Sequence, residues 1–179
     1  MKLIILDRDG VINFDSDRFI KSPEEWKPIP GSLEAIARLT REGYRVVVAT
    51  NQSGIARGLF EMATLAAIHA KMVKAVAQMG GRIDAVFFCP HSAEHECACR
   101  KPRSGMFDEI AQRYTCDLDD VPVVGDSLRD LLAAEAVGAI PILVRTGKGE
   151  RTLKAGGLPH GTPVFDDLAA VVEALLNPA

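Results

Sequence analysis

Two carboxylates, Asp7 and Asp9, stand two residues apart directly after the apolar run Leu3-Ile4-Ile5-Leu6. An apolar run closed by a Gly-containing turn reads as a buried strand, and Gly10 supplies that turn. In open α/β sheets, ligands bind outside the carboxyl ends of the strands. A carboxylate at such a point can attack phosphorus, and a second within hydrogen-bond reach can move a proton. Asp-Arg-Asp-Gly taken alone is also what a charged strand end looks like, so the other polar residues must decide between the two.

Those residues fall at equivalent points. Thr50-Asn51 follow Val46-Val47-Val48-Ala49, and Gly125-Asp126 follow the run ending at Val124, with Asp130 one helical turn further on. Arg100-Lys101-Pro102 precede a helix expected near Ser104. In a parallel sheet these strand ends share one side. They would gather carboxylates, a hydroxyl, an amide and a lysine, a set suited to a hard divalent cation and a phosphoryl group. Magnesium keeps several waters in near-octahedral oxygen coordination, so one or two carboxylates suffice to hold it. Ser53, Arg57, Arg100 and Lys148 are candidates to bind a second phosphate or hydroxyls, since arginine suits planar, bidentate contacts.

A second constellation lies at residues 89–99. Cys89-Pro90-His91 and Cys97-Ala98-Cys99 offer four zinc-type ligands within eleven residues. Zinc in a closed tetrahedral thiolate–imidazole site is structural, and clustered cysteines in a reducing compartment indicate metal before disulfide. His95 competes with His91 for the fourth place; His91 pairs with Cys89 as Cys97 pairs with Cys99. Cys116 stands apart as a lone core thiol. Cys99 is two residues from Lys101, so a metal-locked loop would aim Arg100 and Lys101 at the strand ends. A catalytic zinc would need an open position, which favours zinc for structure and magnesium for chemistry.

The elements that must position these groups alternate along the chain. Strands are expected at 3–6, 45–49, 83–88, 121–124, 140–144 and 164–165, and helices at 32–42, 61–79, 104–114, 128–137 and 168–176. Such alternation implies crossover units and a mostly parallel central sheet, a three-layer Rossmann-like α/β fold. Residues 147–161, rich in Gly and charge, read as a surface loop. The stripe Met62, Leu65, Ala66, His69, Met72, Val73 reads as core, with His69 a helix-face histidine. Arg8, between the two aspartates, is expected to point away from both by strand alternation. Too little chain separates the motifs for a large cap domain, so residues 14–30, 52–60 and 91–103 would wall an open site.

The 179 residues suggest a single domain spanning 1–179. The net charge of −3 and the lack of a basic stripe give no support for nucleic acid as a partner. No signal peptide and no apolar run near the roughly 18 residues of a membrane helix is evident, so a cytoplasmic chain without membrane contacts, expected as a monomer, follows.

The order Asp7-x-Asp9, Thr50-Asn51, Lys101 and Gly125-Asp126 with Asp130 resembles the four motifs of the haloacid dehalogenase superfamily, phosphatase branch, over about residues 3–146. Asp-Arg-Asp-Gly-Val-Ile-Asn, Thr-Asn-Gln-Ser-Gly-Ile-Ala-Arg-Gly and Cys-Ala-Cys-Arg-Lys-Pro are similar to the heptose-bisphosphate and histidinol-phosphate phosphatase subgroup. The resemblance implies Asp7 as nucleophile and Asp9 as acid/base. It implies magnesium held by Asp7, the Asp9 carbonyl and Asp126, with Asp130 behind them, and phosphate held by Thr50, Asn51, Arg100 and Lys101. The implied substrate is a small phosphorylated sugar. The 7-phosphate of D-glycero-D-manno-heptose 1,7-bisphosphate, in lipopolysaccharide-precursor synthesis, is the first expectation, and histidinol phosphate is the alternative. A non-catalytic zinc-stabilised binding module disagrees with the retention of both aspartates, and a mutase disagrees with the missing cap.

Overall fold

The computed structural model describes all 179 residues. Six parallel strands form one sheet in the order β3-β2-β1-β4-β5-β6. They are β1 (Lys2–Leu6), β2 (Tyr44–Asn51), β3 (Ala85–Cys89), β4 (Pro122–Gly125), β5 (Ile140–Val144) and β6 (Val164–Phe165). The helices are α1 (Ser32–Arg41), α2 (Met62–Gln78), α3 (Gly105–Tyr114), α4 (Leu128–Ala136), α5 (Gly149–Ala155) and α6 (Leu168–Leu176). Every expected element is present with its ends shifted by a few residues. The sheet is wholly parallel.

Alternation within the central strands divides the core in two. Ile4, Leu6, Val46 and Val48 face Ile36 and Leu39 of α1, Ile68, Met72 and Val76 of α2, and Val171 and Val172 of α6. Leu3, Ile5, Val47 and Val123 face Met106, Phe107 and Ile110 of α3 and Ala133 and Ala134 of α4. Strands buried on both faces read as continuous apolar runs, which is why Leu3 to Leu6 and Val46 to Ala49 carry no polar residue.

The chain runs outward from β1 to β2 to β3, then returns to place β4 on the other side of β1. The switch point where ligands bind in such sheets therefore lies at the carboxyl ends of β1 and β4, beside Asp7 and Asp126. Between β1 and α1 there is only one 3₁₀ turn, Pro23–Glu25, and between β2 and β3 only α2, so no cap domain covers this edge.

Residues 147–161 are not simply a loop: α5 occupies Gly149–Ala155. The segment has no apolar stripe of helical period, which is the signal that sequence reading uses. Tertiary bonds hold it instead. The Thr152 hydroxyl donates to the Asp126 carbonyl (2.7 Å), and the Thr146 hydroxyl donates to the Gly10 carbonyl (2.6 Å).

Candidate active site

The turn after β1 delivers both aspartates. The Asp7 N–H donates to the Val124 carbonyl (3.0 Å), which extends the β1–β4 pairing by one residue. Gly10 then has φ +85°, and a Cβ there would fall on the Asp126 carboxylate. Glycine at this point lets the backbone pass against Asp126. The carboxylates of Asp7, Asp126 and Asp130 come together with an oxygen of each within 4.8 Å of the others.

Lys101 enters this group from the far side. Its Nζ is 2.6 Å from Asp130 Oδ1 and 3.2 Å from Asp7 Oδ1, and donates to the Ala49 carbonyl at 2.8 Å. Its main chain is clamped by Asn51, whose Oδ1 accepts from the Lys101 N–H and whose Nδ2 donates to the Lys101 carbonyl (both 3.1 Å). Asp130 is committed elsewhere as well: its Oδ2 accepts from the N–H groups of Asp126 and Ser127 and from the Ser127 hydroxyl. It caps α4 and holds Lys101.

The charges do not cancel. Burial pushes the Asp7 carboxyl up to about 7, the Asp130 charge adds to this, and Lys101 opposes it. Asp126 is raised well above the carboxylate range by burial and then by Asp7 and Asp130. For Asp130, burial acts upward, but the Lys101 ammonium outweighs it and the net shift is downward. Two carboxylates that resist ionisation beside a third are a site short of positive charge, and a hard divalent cation with oxygen ligands fits that donor set.

Asp9 differs. Burial acts upward on it too, but Arg8, Asn13 and Gln52 outweigh it and lower its pKa. Arg8 does not point away from the aspartates. It is fully buried, and its Nε donates to Asp9 Oδ1 (2.9 Å). Strand alternation fails here because β1 ends at Leu6. Asn13 Nδ2 donates to the same oxygen (2.9 Å), and Gln52 Nε2 donates to Asp9 Oδ2 (3.1 Å) and to Thr50 Oγ1 (2.9 Å).

Above these groups lies a cavity of about 220 Å³ lined by Asp7, Asp9, Thr50, Asn51, Ser53, Arg57, Arg100, Lys101, Asp126, Asp130 and Lys148. All the expected catalytic and substrate-facing residues therefore meet in one place. Asp15, Asp17, Phe19 and Gln52 line it too, from the expected wall segments 14–30 and 52–60 though not singled out in them, and Arg129 lies outside every expected wall. Gln52 was detectable as the next residue after Thr50-Asn51. Arg129 carries no local signal, because only the fold brings the first turn of α4 to the rim. Lys148 is split between two tasks: its ammonium pairs with Asp15 (3.1 Å), while its N–H donates to Asp126 Oδ2 (2.9 Å).

The thiol loop forms the adjoining wall. Cys89 Sγ lies 3.0 Å from Cys99 Sγ, 3.8 Å from Cys97 Sγ and 3.5 Å from His91 Nδ1. Zinc–sulfur bonds of about 2.3 Å in a tetrahedron imply sulfur separations of about 3.8 Å, so the donor set fits zinc, with Cys97 at that spacing from Cys89 and Cys99 drawn closer. His95 is turned aside, with its Nδ1 accepting from the Ser92 N–H (3.1 Å), and His91 is the fourth member of the cluster. Arg100 donates to the His91 carbonyl (3.3 Å), and the Gly105 N–H donates to the Ala98 carbonyl (2.9 Å), which ties the loop to the start of α3. Cys116 packs at the edge of the second core, half-buried.

A protein-family model described as polynucleotide kinase 3 phosphatase matches residues 2–133, and a second, described as HAD-hydrolase-like, matches residues 98–171. The chain belongs to the haloacid dehalogenase-like phosphatases. A D-glycero-beta-D-manno-heptose-1,7-bisphosphate 7-phosphatase of Bordetella bronchiseptica is 64% identical to this phosphatase over 179 residues, covering 100% of both chains. The Pseudomonas putida protein of the same name is 57% identical over 176 residues, 98% of this chain and 100% of the relative. The crystal structure of the Bordetella bronchiseptica D,D-heptose 1,7-bisphosphate phosphatase, complexed with magnesium and phosphate, matches with a TM-score of 0.98 at 64% identity and 100% coverage of both chains.

Proposed function

We propose that this chain is a single-domain phosphatase removing the 7-phosphate of D-glycero-D-manno-heptose 1,7-bisphosphate through an aspartyl-phosphate on Asp7, in the synthesis of lipopolysaccharide heptose. The observation that carries the reading is the cluster of Asp7, Asp126 and Asp130 around Lys101 at the switch point, beside an Asp9 held by separate partners. Full-length likeness to proteins named for this activity supports the substrate.

An Asp7 oxygen attacks phosphorus, and the phosphorus–oxygen bond to the sugar breaks. Asp9, held low in the free site by Arg8, Asn13 and Gln52, takes up a proton when the negatively charged phosphate ester binds beside it, and the departing sugar oxygen takes that proton. Water then attacks the phosphoryl group and gives its proton to Asp9, the bond to Asp7 breaks, and phosphate leaves. Splitting the hydrolysis in this way replaces one difficult displacement by two easier ones. Asp7, the Asp9 carbonyl and Asp126 would hold magnesium, which supplies positive charge to the transferring oxygens. Thr50 and the Asn51 backbone bind phosphoryl oxygens, and Lys101 offsets their charge beside Asp7. Burial holds Arg100 below its ordinary value, and the charges of Arg129 and Arg57 close beside it add to this. This crowd of like charge suits the second phosphate, with Ser53 and Lys148 nearby. Zinc on Cys89, His91, Cys97 and Cys99 would hold the loop that carries Arg100 and Lys101.

The negative wall of Asp15 and Asp17 supports a small polyol over a nucleic acid. No helix is long and apolar enough to cross a membrane. Four free thiols support a reducing, cytoplasmic setting, and we take the chain to act as a monomer. Phosphate release with magnesium from heptose 1,7-bisphosphate and from histidinol phosphate, side by side, tests the reading. Preference for the heptose, lowered about 10³-fold or more in Asp7→Asn, is expected. Preference for histidinol phosphate would move the substrate, and an active Asp7→Asn would end the proposed mechanism.

A further inference from the structure

Arg8 is an expensive residue to bury. Its side chain has no exposed surface, and a buried charge stripped of its partners costs several kcal/mol. Its guanidinium is used on two sides. Nε donates to Asp9 Oδ1 at 2.9 Å, and Nη2 lies 2.8 Å from the same oxygen as an ion-pair contact without hydrogen-bond alignment. Nη1 lies 3.1 Å from Nε2 of His69, which sits on α2 and is 9% exposed. The ring of Phe88 packs at 6.1 Å against that imidazole.

Arginine has no lone pair to offer, so the imidazole must accept. Nε2 is then unprotonated and the proton sits on Nδ1. Burial, and then the Arg8 charge, push His69 down to about 4, in keeping with a neutral acceptor. Asp9 is left asymmetric as a result. Oδ1 is held by Arg8 and Asn13, while Oδ2 has only Gln52.

We propose that Arg8 and His69 are positioning residues for the proton-transfer step, turning Asp9 so that Oδ2 faces the leaving oxygen. The inference rests on the phosphatase reading above. His69 touches no reacting atom. It acts from α2, otherwise a core-packing helix, by fixing the one guanidinium that fixes the acid. General acid catalysis depends on hydrogen-bond reach of the leaving oxygen, and a carboxylate free to rotate loses it. A poor leaving group suffers most from that loss. A sugar alkoxide must be protonated as it departs, and an aryl oxide need not be.

The test compares kcat/KM, which reports only steps up to formation of the aspartyl-phosphate, for the sugar bisphosphate and for p-nitrophenyl phosphate. His69→Leu is expected to lower the sugar value on the order of 10-fold or more and the aryl value by less than about threefold. His69→Gln, whose amide oxygen can accept from Nη1, is expected to restore the sugar value. Equal losses on both substrates, or no loss, would overturn the proposal. His69→Met takes the same measurement if the leucine variant does not fold, and failure of both to fold would assign the pair to stability alone and overturn it as well. A wild-type chain that cleaves p-nitrophenyl phosphate but spares the heptose would sink the substrate reading, and the ratio would then be read with glycerol 2-phosphate.

Discussion

The thiol cluster draws its four ligands from residues 89–99, whereas the carboxylate cluster draws its three from residues 7, 126 and 130 and its counter-charge from residue 101. The first is closed, its donors 3.0 to 3.8 Å from Cys89 and pointed at one another. The second opens on a cavity of about 220 Å³ and holds more negative charge than Lys101 can offset. A local cluster can be tight because few backbone degrees of freedom separate its members. A cluster assembled from the ends of β1 and β4, the first turn of α4 and the segment before α3 is placed by the whole sheet, and can therefore keep an open side for a substrate. Lys101 belongs to both: it is two residues from Cys99 and in contact with Asp7 and Asp130.

Four measurements would break or sharpen this contrast. The largest effect on stability is expected from the closed cluster. Cys99→Ser should remove zinc from metal analysis and lower stability by on the order of 5 kcal/mol, a fall in Tm of about 10–20 °C. An unchanged melting curve would strip the loop of its structural role.

Lys101→Met attacks the shared residue. It leaves Asp7 and Asp130 buried without their cation, and removing one partner of a buried ion pair costs about 3–5 kcal/mol. Chemical denaturation would read this loss, and phosphate release should fall by about 100-fold beside it. If activity fell while stability held, Lys101 would belong to the open site alone.

The third measurement concerns the neutral histidine behind the open cluster. The folded pKa of His69 is depressed to about 4 from 6.5, so the unfolded chain binds more protons between those values. Stability is full above pH 6.5 and declines as pH falls toward 4, by about 3 kcal/mol from this group. Urea unfolding across that range should show a shallower slope in His69→Gln than in wild type. Equal slopes would mean the imidazole titrates normally.

Arg57→Ala should have the smallest effect, raising KM for the bisphosphate about 10-fold with kcat nearly unchanged, and changing little for a monophosphate. Its guanidinium lies 5.8 Å from the centre of the Phe19 ring, at the rim of the cavity. Equal effects on both substrates would place Arg57 elsewhere than at the second phosphate.

Much of the open cluster was legible because each member follows an apolar run. Asp7, Thr50 and Asp126 could be placed on one side of a sheet without coordinates, and the thiol pairs were legible from spacing alone. His91 and His95 could not be separated by spacing, because both lie within reach of the loop. The turn that gives His95 to Ser92 decides it. Alternation misplaces Arg8 because it does not hold beyond Leu6, the last residue of β1, and Arg8 lies two residues past it. Helix α5 was missed because its anchors are Gly10 and Asp126, remote in sequence.

The amino-acid sequence by itself determined the alternation of strands and helices, the strand ends at which chemistry would sit, and the metal-type loop, since each depends on residues close along the chain. Only the tertiary structure decided which charges meet. Lys101 against Asp130, Lys148 against Asp15 and Arg8 against His69 join residues 29 to 133 positions apart. Burial raises both Asp7 and Asp9, and their neighbours set the difference: Asp130 adds to the rise of Asp7 to about 7, while Arg8, Asn13 and Gln52 hold Asp9 down two residues away. The energy of a buried charge depends on its neighbours in space, and that is information a linear pattern does not hold.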